Sequence, residues 1–153
     1  MRFFLIFSFL AVVAFAPLPA SAQSISDRLV GTWTCQTKVS TIRFKAIWRY
    51  RSNGAFSMDF ALGGRLSGIK VTGNGFGTGK WSLNRNRRLT RTFDSFVTTR
   101  VRFNNDRLPA RDLAELTDIM KQGTILATVR PLRRNSFVEH PIPPDTKTRC
   151  RRI

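Results

Sequence analysis

Few side chains in this 153-residue chain are spaced for catalysis. General acid–base work needs a positioned carboxylate or histidine, and the lone His140 stands in a proline-rich stretch with only Glu139 beside it. Asp59 and Asp94 fall in strand-like segments, but nothing in the pattern places them together. The run Gly73-Asn74-Gly75-Phe76-Gly77-Thr78-Gly79-Lys80-Trp81 invites comparison with a phosphate loop. A loop of that kind ending at Gly79-Lys80 needs glycine where Asn74 stands and Ser or Thr where Trp81 stands. Nucleotide binding is therefore not expected, and the glycines read instead as a strand face that bends sharply or lies under an aromatic ring. Two cysteines and one histidine make no recognisable metal-ligand set, so neither metal nor cofactor is expected. The chain reads as a non-enzyme.

Cys35 and Cys150 carry the chemistry that remains, and how they read depends on compartment. Arg2 precedes an uncharged apolar run from Phe3 to Phe15, Pro17-Leu18-Pro19 breaks it, and Ala20-Ser21-Ala22 has the small-x-small form of a cleavage site. Residues 1–22 are read as a secretory signal peptide, leaving 23–153 as a single domain. No later stretch is long and apolar enough to cross a membrane. The expected product is exported, periplasmic or extracellular, where an even pair of cysteines forms a disulfide by default.

The charge is the other outlier. Twenty-six Lys plus Arg stand against nine Asp plus Glu, for a net +17, and twenty of those cations are arginine. In a cytosolic protein this suggests nucleic acid. Outside the cytoplasm the polyanions are envelope lipids, sugar phosphates and wall polymers, so nucleic acid is not the expected partner. A merely solubilising surface is the alternative.

The elements that position these groups are mostly strands. The first is expected from about Leu29 to Lys38. From Thr41 to Arg51, Phe44, Ala46, Trp48 and Tyr50 alternate with Arg43, Lys45, Arg49 and Arg51, giving one apolar and one cationic face. Phe56, Met58, Phe60 and Leu62 repeat the apolar face. A two-residue Asn53-Gly54 loop would set these faces out of phase. A three-residue loop with Gly54 in the left-handed region pairs Tyr50 with Phe56 and Trp48 with Met58. Gly63-Gly64 reads as the next turn.

Pairing Leu83 with Leu89 sets Trp81 opposite Arg91 and Gly79 opposite Phe93. Beyond Ser95, strict alternation puts Val97, Thr99, Val101 and Phe103 on one face and Phe96, Thr98, Arg100 and Arg102 on the other. Pro109 to Gln122 reads as the one helix, its apolar face carrying Leu113, Leu116 and Met120. Two strands follow, then a linker at Pro141–Pro144, then a basic tail over Lys147–Ile153 that returns Cys150 to the first strand. The class is all-β with one helix: an antiparallel up-and-down barrel, or strongly curled sheet, of about eight strands.

The Gly31-x-Trp33 opening of the first strand, with this meander, resembles the lipocalin and calycin group, and in outline the small bacterial exported proteins with a lipocalin-like domain. That resemblance implies that Trp33 closes the floor of the barrel under a covering arginine, Arg130 or Arg91. It also implies a binding protein for an apolar or amphiphilic small molecule or lipid, with Phe44, Trp48, Tyr50, Phe56, Met58 and Phe60 lining the site. The same side chains would equally suit a filled core with no cavity. Alternatives are a cationic surface of Arg43, Lys45, Arg49, Arg51, Arg100 and Arg102 that docks on anionic lipid, lipopolysaccharide or wall polymer, and an inhibitor of a hydrolase.

Overall fold

The computed structural model describes residues 24–142 and 146–153. The expected leader, Pro143 and Pro144 of the linker, and the side chains of Leu116 and Met120 lie outside the described residues.

Strands β2 (Ile42–Tyr50) and β3 (Ala55–Leu66) form the hairpin that the apolar alternation requires. Tyr50 faces Phe56, Trp48 faces Met58, Ala46 faces Phe60 and Phe44 faces Leu62. The loop is Ser52-Asn53-Gly54, with Gly54 at φ +80° and its N–H donating to the Arg51 carbonyl. Two residues would have turned one apolar face to water, and a third restores the phase.

The next turn is not at Gly63-Gly64. Strand β3 runs on through both glycines to Leu66, and the chain reverses at Ser67-Gly68, each with positive φ, before β4 (Ile69–Leu83). Two consecutive left-handed residues give the hairpin turn whose twist matches the flanking strands. Gly64 is needed for a different reason: a Cβ there would lie 2.8 Å from the Ile42 Cα, because β3 passes hard against the tip of the preceding hairpin.

Strand β5 (Arg88–Phe103) pairs with β4 in the expected register at first, with Leu83 facing Leu89, Trp81 facing Arg91 and Gly79 facing Phe93. The strict alternation expected beyond Ser95 fails. Register shifts leave Asp94 and Thr99 as extra residues, two bulges that each flip the phase. Phe96, Thr98 and Val101 consequently face inward and Val97 outward, while Phe103, on the same face as Val101, is exposed at the end of the strand. The glycine row of β4 does lie under aromatic rings: a Cβ on Gly75 would meet Phe60, on Gly77 Phe93, and on Gly79 Phe56, each closer than 3 Å.

A two-residue strand β6 (Asp106–Arg107) adds to β5, and helix α1 (Ala110–Gln122) packs on β5 with Thr117 beside Thr98. Then come β7 (Thr124–Leu132), β8 (Ser136–Pro141) and β9 (Thr148–Arg152). The basic tail is thus itself a strand, inserted between β8 and β1 (Gly31–Val39). Neighbouring strands run β1-β2-β3-β4-β5-β7-β8-β9 and back to β1, a closed antiparallel ring of eight. Strands of five to sixteen residues make the ring uneven. Cys35 and Cys150 sit directly opposite one another, 4.1 Å apart at Cα, and form the disulfide. Among the described residues no helix is long and apolar enough to cross a membrane.

Candidate binding cavity

One end of the ring is sealed. Leu29, from a short turn ahead of β1, is fully buried and accepts a hydrogen bond from Trp33 Nε1 at 2.7 Å, and Phe137 of β8 meets the Trp33 ring edge-on at 4.7 Å. The arginine covering Trp33 is neither of the two expected. Arg130 is exposed on β7, and Arg91 lies over a different ring. Arg152 of β9 takes the part, its guanidinium carbon 4.2 Å from the Trp33 ring centre. Its Nη1 fills the space where a side chain at position 31 would begin, and Gly31 also adopts φ +134°, so two constraints require glycine there.

Above this plug lies a polar layer. Arg91 projects inward from β5, donates to the Tyr50 hydroxyl at 2.9 Å and to Glu139 Oε2 at 2.7 Å, and stacks over Trp48 at 4.2 Å. Arg91 and Glu139 are both nearly fully buried. Isolated charges there would be prohibitive, and pairing, the hydroxyl and the π face together compensate them. Burial works against the Arg91 cation, but the Glu139 charge and Tyr50 more than offset it, so the guanidinium holds its proton more firmly than in water. Burial also pushes the Tyr50 phenol well above its usual range, with the Arg91 charge opposing that shift. Arg91 Nε and Glu139 Oε1 have no hydrogen-bond partner among the described residues.

Over the polar layer is a cavity of about 280 Å³. Of the six side chains expected to line a site, Phe44, Trp48, Met58 and Phe60 do so. Tyr50 and Phe56 do not. They are buried beneath, Tyr50 stacked on Trp48 and edge-on to Trp81, Phe56 wedged against Trp48 and Phe93. Sequence reasoning missed Phe96 and Val101, which reach the cavity only because of the β5 bulges, and missed the Arg91–Glu139 floor. That floor had a signal: Arg91 alternates with Leu89 and Phe93, and Glu139 with Phe137, so both fall on the inward face.

The six cations expected to form one surface do not. Arg49 pairs with Asp59. Lys45 and Arg100 lie in one row across the sheet with Ala61 and Asn74 between them. That is three strand spacings, about 14 Å. Arg43 and Arg102 are separated in the same way by Gly63 and Thr72, and Arg51 lies at the sealed end in the loop after β2.

No family model matches the chain, and no curated protein matches it closely enough to count as a relative.

Proposed function

We propose that this protein is an exported, non-catalytic binding protein of lipocalin-like type, whose mature chain 23–153 holds a small amphiphile inside the strand ring. The observation that carries this reading is the cavity itself: about 280 Å³ walled by Phe44, Trp48, Met58, Phe60, Phe96 and Val101, above an internally neutralised ion pair. A small barrel that merely fills itself leaves no such space. At about 30 Å³ for each water- or methylene-sized group, it accommodates about nine such groups, the small end of the range for ligand pockets. Apolar walls with one polar floor suit a short alkyl chain or compact ring system better than a polar metabolite.

Displacement of an uncharged fluorescent dye tests this. The disulfide-bonded protein is expected to bind the dye saturably, one per chain, and to release it to octanol. Leu62→Trp, which fills the rim of the cavity from a half-buried position, is expected to abolish binding while leaving the far-ultraviolet dichroism unchanged. Absence of a saturable site in the parent protein overturns the reading. For export, the mass of the protein recovered outside the cytoplasm is expected to correspond to residues 23–153.

A further inference from the structure

The cavity does not end at its rim. Outside it, where β1, β2 and the start of β9 meet, runs a groove lined by Lys38, Arg43, Lys45, Lys147 and Arg149. Thr37, Phe44 and Thr146 line both spaces. Strand geometry dictates this arrangement. Thr37 and Phe44 face each other on the inner side, while their neighbours Lys38, Arg43 and Lys45 point outward. Lys38 is paired directly with Arg43, and Gln36 has Lys45 on one side and Arg149 on the other. Thr37 Oγ1 donates to the Lys147 carbonyl at 3.1 Å, which fixes that segment beside β1.

Like charges placed directly across a sheet repel, and among the described residues no carboxylate lines this groove. Among the described residues the ion-paired cations are Arg49 and Arg91, neither of them here. Inside the cavity the situation is opposite, because the Arg91 charge is already answered by Glu139. An anionic head meets an already neutralised cation at the floor and a cluster of five cations at the rim. Five clustered cations call for more than one negative charge, and the two arginines among them suit a phosphate.

Resting on the proposal that the cavity holds an amphiphile, we infer that the ligand is a phosphomonoester amphiphile bound tail-in and head-out: its alkyl chain lies against Phe44 and Met58, and its phosphate lies in the Lys38, Arg43, Lys45, Lys147, Arg149 groove. No bond is made or broken, and the protein is a carrier of that class of molecule.

The test compares octyl phosphate with octanol as competitors for the cavity-bound dye. Octyl phosphate is expected to compete at least ten-fold better at low salt, with the advantage shrinking as salt rises. The exposed double variant K45Q/R149Q is expected to lose most of that advantage while octanol competes as before. A control, R85Q/R133Q, removes the same charge at the sealed end and is expected to keep the advantage. Equal competition by the two compounds, an unaltered advantage in K45Q/R149Q, or an equal loss in the control would each overturn the head-group assignment while leaving the cavity reading intact. Failure of both compounds to compete removes the cavity reading and this inference together.

Discussion

The guanidinium of Arg152 lies 4.2 Å above the Trp33 ring and at the same time donates to the carbonyls of Arg28, Val30 and Arg134 at 2.8 to 3.0 Å. One side chain from β9 thus ties the turn before β1, the β7–β8 connection and the buried plug to one another. A desolvated cation–π contact contributes up to about 2 kcal/mol, and hydrogen bonds from a charged donor about 1.5 to 3 kcal/mol. These terms overlap, so Arg152→Ala is expected to destabilise by about 2 to 4 kcal/mol, read from the urea midpoint. Arg152→Lys is expected to recover less than half, because an ammonium cannot span three carbonyls and lie flat on a ring.

The buried pair of Arg91 and Glu139 predicts an asymmetric response to substitution. Glu139→Leu leaves a buried guanidinium without its counter-charge and is expected to cost about 3 to 5 kcal/mol. The double variant R91M/E139L removes both charges and is expected to be the more stable of the two, close to the parent protein in a urea titration. If the single and double variants unfold together, the pair is not what makes Glu139 necessary.

Tyr50 is the chain's one tyrosine, so its ionisation has an unshared spectroscopic signal. Burial raises its phenol pKa in the folded state. At about pH 11, a unit above the ordinary phenol value of about 10, the native protein is expected to show no tyrosinate absorbance, and unfolding at that pH to release it at once. The sign for stability follows. Above about pH 10 the unfolded chain gives up this proton and the folded chain keeps it, so the unfolded state binds fewer protons and stability falls as pH rises. Below that pH both states are protonated and Tyr50 contributes no pH dependence.

Much of the frame was legible because it rests on local rules. The β2–β3 register followed from two apolar faces that had to agree and a glycine that could sit at positive φ. The disulfide followed from two cysteines in a chain expected to be exported. The β3–β4 turn was harder, since Gly63-Gly64 has the stronger turn signal than Ser67-Gly68. Those glycines answer a close approach between distant segments, which no local pattern reveals. The β5 bulges at Asp94 and Thr99 are polar residues with nothing unusual around them, so the inward turn of Phe96 and Val101 was hidden.

At the site, the missed Arg152 was recoverable in principle. If Cys35 pairs with Cys150 in antiparallel strands, Trp33 must pair with Arg152, two steps along each strand. Reading Lys147–Ile153 as a tail and not a strand concealed both that contact and the outer groove, because β9 is what carries Lys147 and Arg149 to β1. The expected cation patch failed for the complementary reason. Alternation places charges on the outside of a strand, but only the order of strands in the ring says which outsides are neighbours.

The insertion of β9 between β8 and β1 has a consequence for biogenesis. Until residues 148–152 have been synthesised and docked, β1 and β8 each present a row of unpaired backbone groups, the type of margin that recruits other chains. Trp33 lacks its cover over the same interval and Cys35 is a bare thiol. The molecule therefore has a vulnerable adolescence: a chaperone would have to act before elongation passes Cys150 and a thiol oxidase after it, and a nascent chain stalled short of it is expected to be sticky and reducing where the finished one is neither.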